Sequence, residues 1–236
     1  MTPEAEDGRW LRAHPLVFVS DLEVPALDPD DYQHLRRSLR MRLGDPCSIG
    51  DGGGRWRRAR FGEVAEPTGA VLYTPGPAWS VTIAFAPVRS QKPEWVVQKL
   101  TELGVDHVIP LQSDRSVVRW DSSRAERHQE RWAKIIREAA MQSRQLRLPT
   151  FAPVTDLPAL LASHPEAALT DPEGEPVRAD DRLLVVGPEG GWSPDELDGA
   201  QLRSLPGGIL RAETASVVAA TLLVSARKPD RFTLGG

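Results

Sequence analysis

The sequence predicts an α/β protein made of two domains, a small β-rich domain over residues 1–77 and a larger domain over residues 78–236. Before residue 77, short apolar stretches alternate with turn residues, and the glycine- and proline-containing residues 74–77 are typical of a linker. From residue 79 onward, strand-like and helix-like stretches alternate. Such alternation is typical of a parallel sheet that is covered by helices on both faces.

The first domain is expected to be a small barrel with a basic side. Residues 16–19 form a compact apolar strand, and residues 30–42 have a helical pattern that Asp28 or Asp30 can cap and Gly44 ends. A strand at residues 47–49 then leads into a glycine turn at 51–54. The next strand alternates apolar residues around Trp56, Ala59 and Phe61 with arginines on its other face.

In the second domain, the strongest local signal is Ser193-Pro194-Asp195-Glu196, which combines a capping box with a proline at the first helical position. Pro93 marks another helix start and Gly104 its end. The last helix, over residues 214–227, is almost wholly apolar and is therefore expected to be buried. The remaining predicted elements are strands at residues 81–88, 105–111 and 183–186 and near Val154, and a long helix over residues 125–145.

The composition is that of a soluble globular protein, with 40% hydrophobic and 26% charged residues. No apolar run approaches the roughly 20 residues that span a bilayer, and the acidic N-terminus lacks the apolar core of a signal peptide. Cys47 is the single cysteine, which excludes an internal disulfide and a cysteine-rich zinc site. We therefore expect a cytoplasmic protein without membrane association and without a metal.

The net charge of −4 hides an uneven distribution of charge along the chain. Residues 32–60 hold eight arginines and two acidic residues, and residues 115–147 hold nine lysines and arginines and four acidic residues. Residues 148–236 hold seven basic and thirteen acidic residues. Because screening makes local charge count more than the total, the two basic stretches fit a phosphate-binding surface. Ordinary solvated faces are the alternative, and charge alone does not decide between the two.

A glycine-rich turn, Gly187-Pro188-Glu189-Gly190-Gly191, connects the apolar strand 183–186 to the capped helix. Glycines let backbone N–H groups approach a ligand closely, and ligands bind beyond the carboxyl ends of parallel strands. The turn matches neither the GxGxxG dinucleotide pattern nor the GxxxxGK[ST] phosphate loop. Taken alone, it is more typical of a plain tight turn.

A second glycine-rich turn at residues 205–208 leads to Arg211, Glu213 and Thr214. The arginine and the glutamate stand among apolar neighbours, which argues against a role in solubility alone. The alternative is that they pair with each other or cap helix ends. Thr214 is a candidate N-cap for the last helix.

Five segments of the chain together resemble the RsmE family, the 16S rRNA (uracil-N3) methyltransferases of the SPOUT superfamily. They occur in the family's order over residues 35–225: LRRSLRMRLGD with the following DGGG turn, QKLTELGVDHVIPL, WAKIIREAAMQSRQLRLP, LLVVGPEGGWSPDEL and ILRAETASVVAATLL. The resemblance implies a PUA-like RNA-binding β-barrel before residue 77. After it, the resemblance implies a SPOUT α/β methyltransferase domain with a deep C-terminal trefoil knot, and a homodimer.

The resemblance also implies that S-adenosylmethionine binds in the knot between three loops, where backbone groups contact the adenine and apolar side chains enclose it. The chain departs from the family at Pro206, Gly208 and Asp171, where Gly, Arg and His are frequent, and keeps the GPEGG core. Carried over to this chain, the donor site consists of Leu169, Thr170, Val186, Gly187, Pro188, Glu189, Gly190, Gly191, Leu205, Ile209, Leu210, Arg211, Ala212, Glu213, Thr214 and Ala215.

Methylation of uridine N3 requires either removal of its proton or stabilisation of the anion that forms, and an arginine near O2 or O4 of the base could do the second. Arg115, Arg144 and Arg211 are the candidates for this role, and Glu138 could act as the base or orient an arginine. For each arginine, a phosphate contact or a structural ion pair is the alternative. The identity of the base stays open.

RNA positioning then falls to the basic stretches, whereas Trp56 is more typical of a core residue than of a platform for a base. The substrate is expected to be 16S rRNA, either naked or in the assembled small subunit. The alternatives are a SPOUT enzyme that acts on another rRNA or tRNA base, and a non-catalytic RNA-binding knot protein. The arginines predicted to bind RNA are Arg36, Arg37, Arg40, Arg55, Arg57, Arg58, Arg60, Arg119 and Arg147.

Overall fold

The computed structural model describes residues 3–87, 93–116 and 122–227 of the chain. These residues divide into two compact units. Among the described residues, the first unit contains those up to Pro77 together with Arg137–Leu148, and the second contains those of Ala78–Ile136 and residues 149–227. The sequence pattern assigns residues 137–148 to the second domain, whereas the structure groups them with the first unit.

The first unit is built on a five-stranded sheet. The elements of this unit are α1 (Pro3–Ala13), β1 (Leu16–Phe18), α2 (Pro29–Arg37), β2 (Pro46–Gly50), β3 (Arg55–Arg60), β4 (Glu66–Pro67) and β5 (Leu72–Tyr73). Strands β1 and β2 are parallel, and β2 and β3 are antiparallel. The two short strands β4 and β5 both pair antiparallel with β3.

Helix α2 is shorter than the sequence pattern predicts. It begins as expected, because the side chain of Asp28 accepts a hydrogen bond of 2.9 Å from the backbone N–H of Asp30. It ends at Arg37 and does not extend to residue 42. Arg40 has φ +56°, which no helix accommodates, and the backbone N–H of the buried Met41 turns back to the carbonyl of Leu35.

The core of the first unit forms around Trp56, whose side chain is fully buried together with Phe18 and Ile49. Trp56 is therefore a core residue, and its ring is not available to stack on a base. Ala140, Met141 and Leu146 belong to the same core. Their burial explains why residues 137–148 form part of this unit.

The second unit is built on a sheet of seven strands, all of them parallel, in the order β12-β10-β11-β6-β7-β8, with β9 also paired to β7. Helix α4 passes from the second unit into the first at residue 137. The elements that follow β5 are β6 (Thr82–Phe85), α3 (Pro93–Leu103), β7 (His107–Gln112), α4 (Ser122–Ser143), β8 (Thr150–Phe151), β9 (Thr155–Asp156), α5 (Leu157–Ser163), β10 (Ala168–Pro176), β11 (Leu183–Val186), α6 (Pro194–Leu197), β12 (Gln201–Ser204) and α7 (Ala212–Ala226).

Strand β11 shows that both faces of this sheet are covered, because all four of its residues are buried. The predicted α/β class with a parallel sheet is confirmed. The capping box at Ser193 is confirmed too: the Ser193 side chain and that of Glu196 each accept the other's backbone N–H. The strand expected near Val154 is instead two short strands, β8 and β9, on either side of that residue.

Helix α7 differs from its prediction in two ways. It begins at Ala212 with Arg211 at the N-cap, so Thr214 lies in the first turn and does not cap the helix. In addition, only one face is buried, and Val217 and Val218 remain partly exposed. The buried face consists largely of alanines and packs on α3, because small side chains let the two helices approach closely. None of the helices among the described residues is long and apolar enough to cross a membrane.

Candidate functional site

A cavity of about 420 Å³ lies beyond the carboxyl ends of strands β11 and β12, beside the irregularity between Thr170 and Glu175 within the neighbouring strand β10. It opens there because β10 pairs with β11 only through Ala168 and Leu169, so that the chain from Thr170 onward separates from β11. This edge of a parallel sheet is where α/β domains bind ligands. The lining residues are Thr170, Asp171, Pro172, Val186, Gly187, Pro188, Glu189, Gly191, Trp192, Leu205, Gly207, Gly208, Ile209, Leu210, Ala212 and Ala215.

One wall of the cavity is the glycine turn 187–191, which Trp192 fastens to strand β10. The indole N–H of Trp192 donates a hydrogen bond of 3.0 Å to the carbonyl of Thr170, and the ring is only 5% exposed. The ring packs against Gly187, where a Cβ atom would lie 2.9 Å from it. Gly191 closes the turn with φ +67° and donates its N–H to the carbonyl of Pro188. The turn therefore has a defined shape that depends on glycine at two positions.

The opposite wall is formed by residues 205–210 and the first turn of α7. Gly207 has φ +103°, so the turn that departs from the family pattern also requires glycine. Ile209 is 95% exposed at the mouth of the cavity. The side chain of Arg211 makes no capping hydrogen bond, so no side chain caps the first N–H groups of α7, which start beside the cavity.

Two carboxylates, those of Asp171 and Glu189, stand among the lining residues. The backbone N–H of Glu173 donates to Asp171 Oδ1 at 2.9 Å and keeps that side chain in place. No lysine or arginine lines the cavity among the residues that the structure describes. The electrostatic environment of the cavity therefore favours a cationic ligand.

Of the sixteen residues predicted to bind the donor, eleven line this cavity: Thr170, Val186, Gly187, Pro188, Glu189, Gly191, Leu205, Ile209, Leu210, Ala212 and Ala215. Leu169 is buried in the core, and Arg211 and Thr214 are exposed outside the cavity. Gly190 faces Arg115 instead. Five residues that line the cavity are absent from the predicted set: Asp171, Pro172, Trp192, Gly207 and Gly208. An aromatic residue directly after a glycine turn was the signal for Trp192.

Glu213, also predicted to bind the donor, lies beside a second, much smaller cavity. That cavity is lined by Phe85, Ala86, Pro93, Val96, Ala212 and Ser216. The carboxylate oxygen Oε2 of Glu213 is buried and has no hydrogen-bond partner among the described residues. The proposed pairing of Arg211 with Glu213 is absent from the described part of the chain.

Arg115, a candidate catalytic residue, lies on the loop that follows β7 and contacts the glycine turn. Its guanidinium Nη1 donates a hydrogen bond of 3.0 Å to the carbonyl of Gly190. Ser113 and Ser116 are buried and joined by three hydrogen bonds, which give the loop a compact turn. Arg115 itself is exposed. The loop thus holds an arginine beside the turn that lines the cavity.

The capping box of α6 holds this loop in place. Ser193 Oγ donates to Asp114 Oδ2 at 2.7 Å, and the backbone N–H of Asp114 donates to Glu196 Oε1 at 3.0 Å. Both side chains of the capping box therefore contact the same residue of the loop. A motif that the sequence identifies as a helix start thereby also joins two loops at the cavity's edge.

Arg144 and Glu138, two further catalytic candidates, belong to the first unit. Arg144 has φ +63° and is half-buried, and its guanidinium donates to the carbonyls of Met141 and Gln142. Burial lowers the pKa of this guanidinium below its ordinary value. Glu138 is exposed on α4.

The arginines predicted to bind RNA fall into two groups. Arg57 donates to the carbonyl of Gly69 at 2.9 Å and pairs with Glu23, while Arg58 pairs with Asp7 at 2.7 Å and with Glu6. The hydrogen bond to Asp7 is the main cause that raises the pKa of Arg58. These two arginines are engaged inside the first unit. Arg119 lies outside the described residues, Arg147 is half-buried, and Arg36, Arg37, Arg40, Arg55 and Arg60 are exposed.

Comparisons with known proteins agree with this architecture. A family model described as an RNA methyltransferase domain matches residues 74–224, and one described as an RNA methyltransferase PUA domain matches residues 27–66. Ribosomal RNA small subunit methyltransferase E from Mycobacterium bovis is 32% identical over 222 residues, which cover 83% of this chain and 84% of that protein. The protein of the same name from Synechocystis is 31% identical over 92% of this chain and 78% of its own length.

Two solved structures are similar to the chain over almost their whole length. The probable rRNA methyltransferase from Porphyromonas gingivalis has a TM-score of 0.75 and 28% identity, and covers 90% of this chain and 98% of its own. Ribosomal RNA small subunit methyltransferase E from Neisseria gonorrhoeae, solved bound to S-adenosylmethionine, has a TM-score of 0.75 and 25% identity. It covers 90% of this chain and 97% of its own.

Proposed function

Because the chain belongs to the RNA methyltransferase family of ribosomal RNA small subunit methyltransferase E, we propose that it transfers a methyl group from S-adenosylmethionine to N3 of one uridine in 16S ribosomal RNA. The family predicted from the five sequence segments is confirmed. The observation that carries the proposal is the cavity at the glycine turn 187–191, in a chain that matches this family over both of its domains.

The cavity fits the methyl donor in size and chemistry. Its volume of about 420 Å³ lies within the roughly 300–1,000 Å³ that is typical of ligand sites. Val186, Leu210 and Trp192 offer apolar surface to a purine, and the backbone N–H groups at the start of α7 offer hydrogen bonds. The carboxylates of Asp171 and Glu189 suit a ligand that carries a sulfonium and an ammonium group. When bound, the donor supplies an activated methyl group that a nitrogen nucleophile can attack without a metal, and the neutral thioether S-adenosylhomocysteine is the leaving group.

For the acceptor base, we propose that Arg115 stabilises the negative charge that develops on O2 or O4 when N3 loses its proton. Its Nη1 is anchored on the carbonyl of Gly190, while Nε and Nη2 make no hydrogen bond to the described residues. Those donors are free to act on the substrate. Arg211 is a second candidate, because it is exposed where α7 begins beside the cavity. We keep Arg144 as a further candidate for stabilising this charge and Glu138 as a candidate for the general base that removes the N3 proton.

The trefoil knot and the homodimer are also proposals. The knot is supported by the strand order, because β12 pairs with β10 and not with β11, so the chain must cross back over the site after β11. The homodimer is supported by apolar surface in this unit, namely the exposed Ile209 and the partly exposed valines of α7. Light scattering on the purified protein, with an expected mass of two chains, tests the dimer.

The methyl transfer is tested by mapping the modified nucleotide. The protein is incubated with S-adenosylmethionine that carries a labelled methyl group, and either with naked 16S rRNA or with small subunits from cells that lack this enzyme. Digestion and mass spectrometry are expected to find N3-methyluridine at one position. A label on another base would contradict the proposed acceptor, and no label with either substrate would contradict the activity.

A further inference from the structure

The glycine turn 51–54 of the first unit is a conspicuous sequence motif that the donor site does not explain. In the structure, residues 146–148 lie against this turn: Gly54 donates its N–H to the carbonyl of Leu146, and Leu148 donates to the carbonyl of Gly52. A Cβ atom on Gly52 would lie 2.8 Å from the side chain of Leu148. Gly52 and Gly54 have φ +76° and +98°, and the side chains of Leu148 and Arg147 pack directly on them, so the turn requires glycine at both positions.

Arg147 is held by this packing in a single arrangement. Its guanidinium runs past Gly54, where a Cβ atom would lie 2.5 Å from Nη2, and past Gly76. Nη2 donates to the carbonyl of Thr74 at 2.9 Å and to the hydroxyl of Tyr73 at 3.1 Å. The guanidinium carbon is 5.5 Å from the centre of the Tyr73 ring. Arg147 thus fixes the tyrosine ring in place and puts a positive charge beside it.

Tyr73 is 64% exposed, and a second arginine stands next to it. Arg55 on β3 is the cross-strand partner of Tyr73 on β5, so the two side chains project from the same face of the sheet. Arg55 is exposed, and its guanidinium has no hydrogen bond or ion pair with any described residue. The nearby Asp51 side chain accepts the backbone N–H groups of Gly53 and Arg55 at its Oδ1 and makes no ion pair with Arg55. An exposed aromatic ring is therefore flanked by two arginines.

We propose that Tyr73, with Arg55 and Arg147 beside it, is a binding site for an unpaired nucleotide of the RNA substrate. The base stacks on the exposed face of the ring, and Arg55 neutralises an adjacent phosphate. Arg147 is a positioning residue, because it already holds the Tyr73 ring in one orientation. The ring therefore loses little conformational entropy when the RNA binds. The choice of RNA as the ligand rests on the proposed function, whereas the stacking itself does not depend on methyl transfer.

The test compares single-stranded with double-stranded RNA. A fluorescently labelled single strand of about ten nucleotides, and the same strand annealed to its complement, are titrated with the full chain by anisotropy. We expect wild type to prefer the single strand. Tyr73→Phe keeps the ring and should bind like wild type, whereas Tyr73→Leu, of similar bulk but without a π face, should lose about tenfold in single-strand affinity and little in duplex affinity. Equal binding of Y73L and wild type, or no preference for the single strand in wild type, would overturn the proposal.

Arg55→Ala tests the phosphate contact separately. We expect it to weaken binding of both RNA forms and to reduce the slope of log affinity against log salt by about one between about 50 and 200 mM. Arg9→Ala, on an exposed position of α1 in the same unit, is the matched control for loss of one arginine. An unchanged salt slope in R55A would remove Arg55 from the site.

Methyl transfer measured in parallel separates this inference from the proposed function. At saturating small subunits, Y73L should transfer methyl groups with a normal kcat and an increased KM for RNA. If Y73L loses single-strand affinity as expected but wild type transfers no methyl group, the proposed function is contradicted and the stacking site is supported. If wild type transfers methyl groups but Y73L binds RNA with unchanged affinity, the proposed function is supported and the stacking site is contradicted.

Discussion

A single methyl group added at Gly187 is expected to disturb the cavity that we propose as the donor site. The Cβ atom of Gly187→Ala would lie 2.9 and 3.1 Å from two ring atoms of Trp192, closer than carbon atoms normally approach. The ring cannot move outward freely, because it is buried and its N–H donates to the carbonyl of Thr170. Overpacking costs about 1–3 kcal/mol and loss of that hydrogen bond about 1 kcal/mol, so G187A should destabilise the second unit by about 2–4 kcal/mol.

This loss is measurable by thermal unfolding followed by tryptophan fluorescence. At about 2–4 °C per kcal/mol for a domain of this size, the melting temperature should fall by about 5–15 °C. Donor affinity, measured by calorimetry below the transition, should fall at least about tenfold, which corresponds to 1.4 kcal/mol. Gly208→Ala is the matched control: it lines the same cavity, its Cβ would meet nothing within 4 Å, and its melting temperature should not fall.

A double mutant tests the physical reason for the effect. Trp192→Phe removes part of the ring that the new Cβ would meet, so in its presence G187A should cost much less than it does alone. If the destabilising effects of the two substitutions are additive, or if G187A melts at the same temperature as wild type, the close contact between Gly187 and Trp192 is not the reason for glycine at this position.

Three further outcomes are expected. Arg115→Ala should lower kcat at least about tenfold with unchanged donor affinity, because we propose that its guanidinium acts on the base. Arg178→Ala on the exposed surface should have no effect, and equal rates for R115A and wild type would exclude the proposed role of Arg115. Asp171→Asn should weaken binding of S-adenosylmethionine, which carries a positive sulfonium, about fivefold, or about 1 kcal/mol. Binding of S-adenosylhomocysteine, whose sulfur is neutral, should weaken much less, so calorimetry should show a reduced ratio of the two affinities. Burial raises the pKa of the Cys47 thiol to about 12, so iodoacetamide at about pH 8 should label it in denaturant and not in the folded protein; rapid labelling of the folded state would contradict its burial.

Features that depend on neighbouring residues were predictable from the sequence. The buried strand Leu183–Val186 and the capping box at Ser193 are encoded within a few residues, and both occur where the pattern indicates. The position of the glycine turn 187–191 between them follows directly. The local sequence signals misplaced the ends of two helices, however, because tertiary contacts compete with them there. Helix α2 stops at Arg37 because Met41 turns into the core, and α7 starts before Thr214.

The charged residues show a different limit of sequence reasoning. Arg57 and Arg58 belong to a basic stretch, yet their partners Glu23, Asp7 and Glu6 come from segments more than thirty residues away. No periodicity reveals such pairs, because side chains distant in sequence meet only after the sheet forms. Tyr73 was overlooked for the same reason. Its importance depends on Arg147, which follows the end of α4 and belongs to the first unit.

By itself, the sequence determined the family, the α/β class with its parallel sheet and the two glycine turns, because these depend on local patterns of apolar and glycine residues. Only the tertiary structure decided that Trp192 joins the turn 187–191 to Thr170, that Asp171 lines the cavity and that Glu213 does not. The physical reason is that a binding site is made where strands adjacent in space come to an end. In this chain β10, β11 and β12 become neighbours only when the sheet assembles.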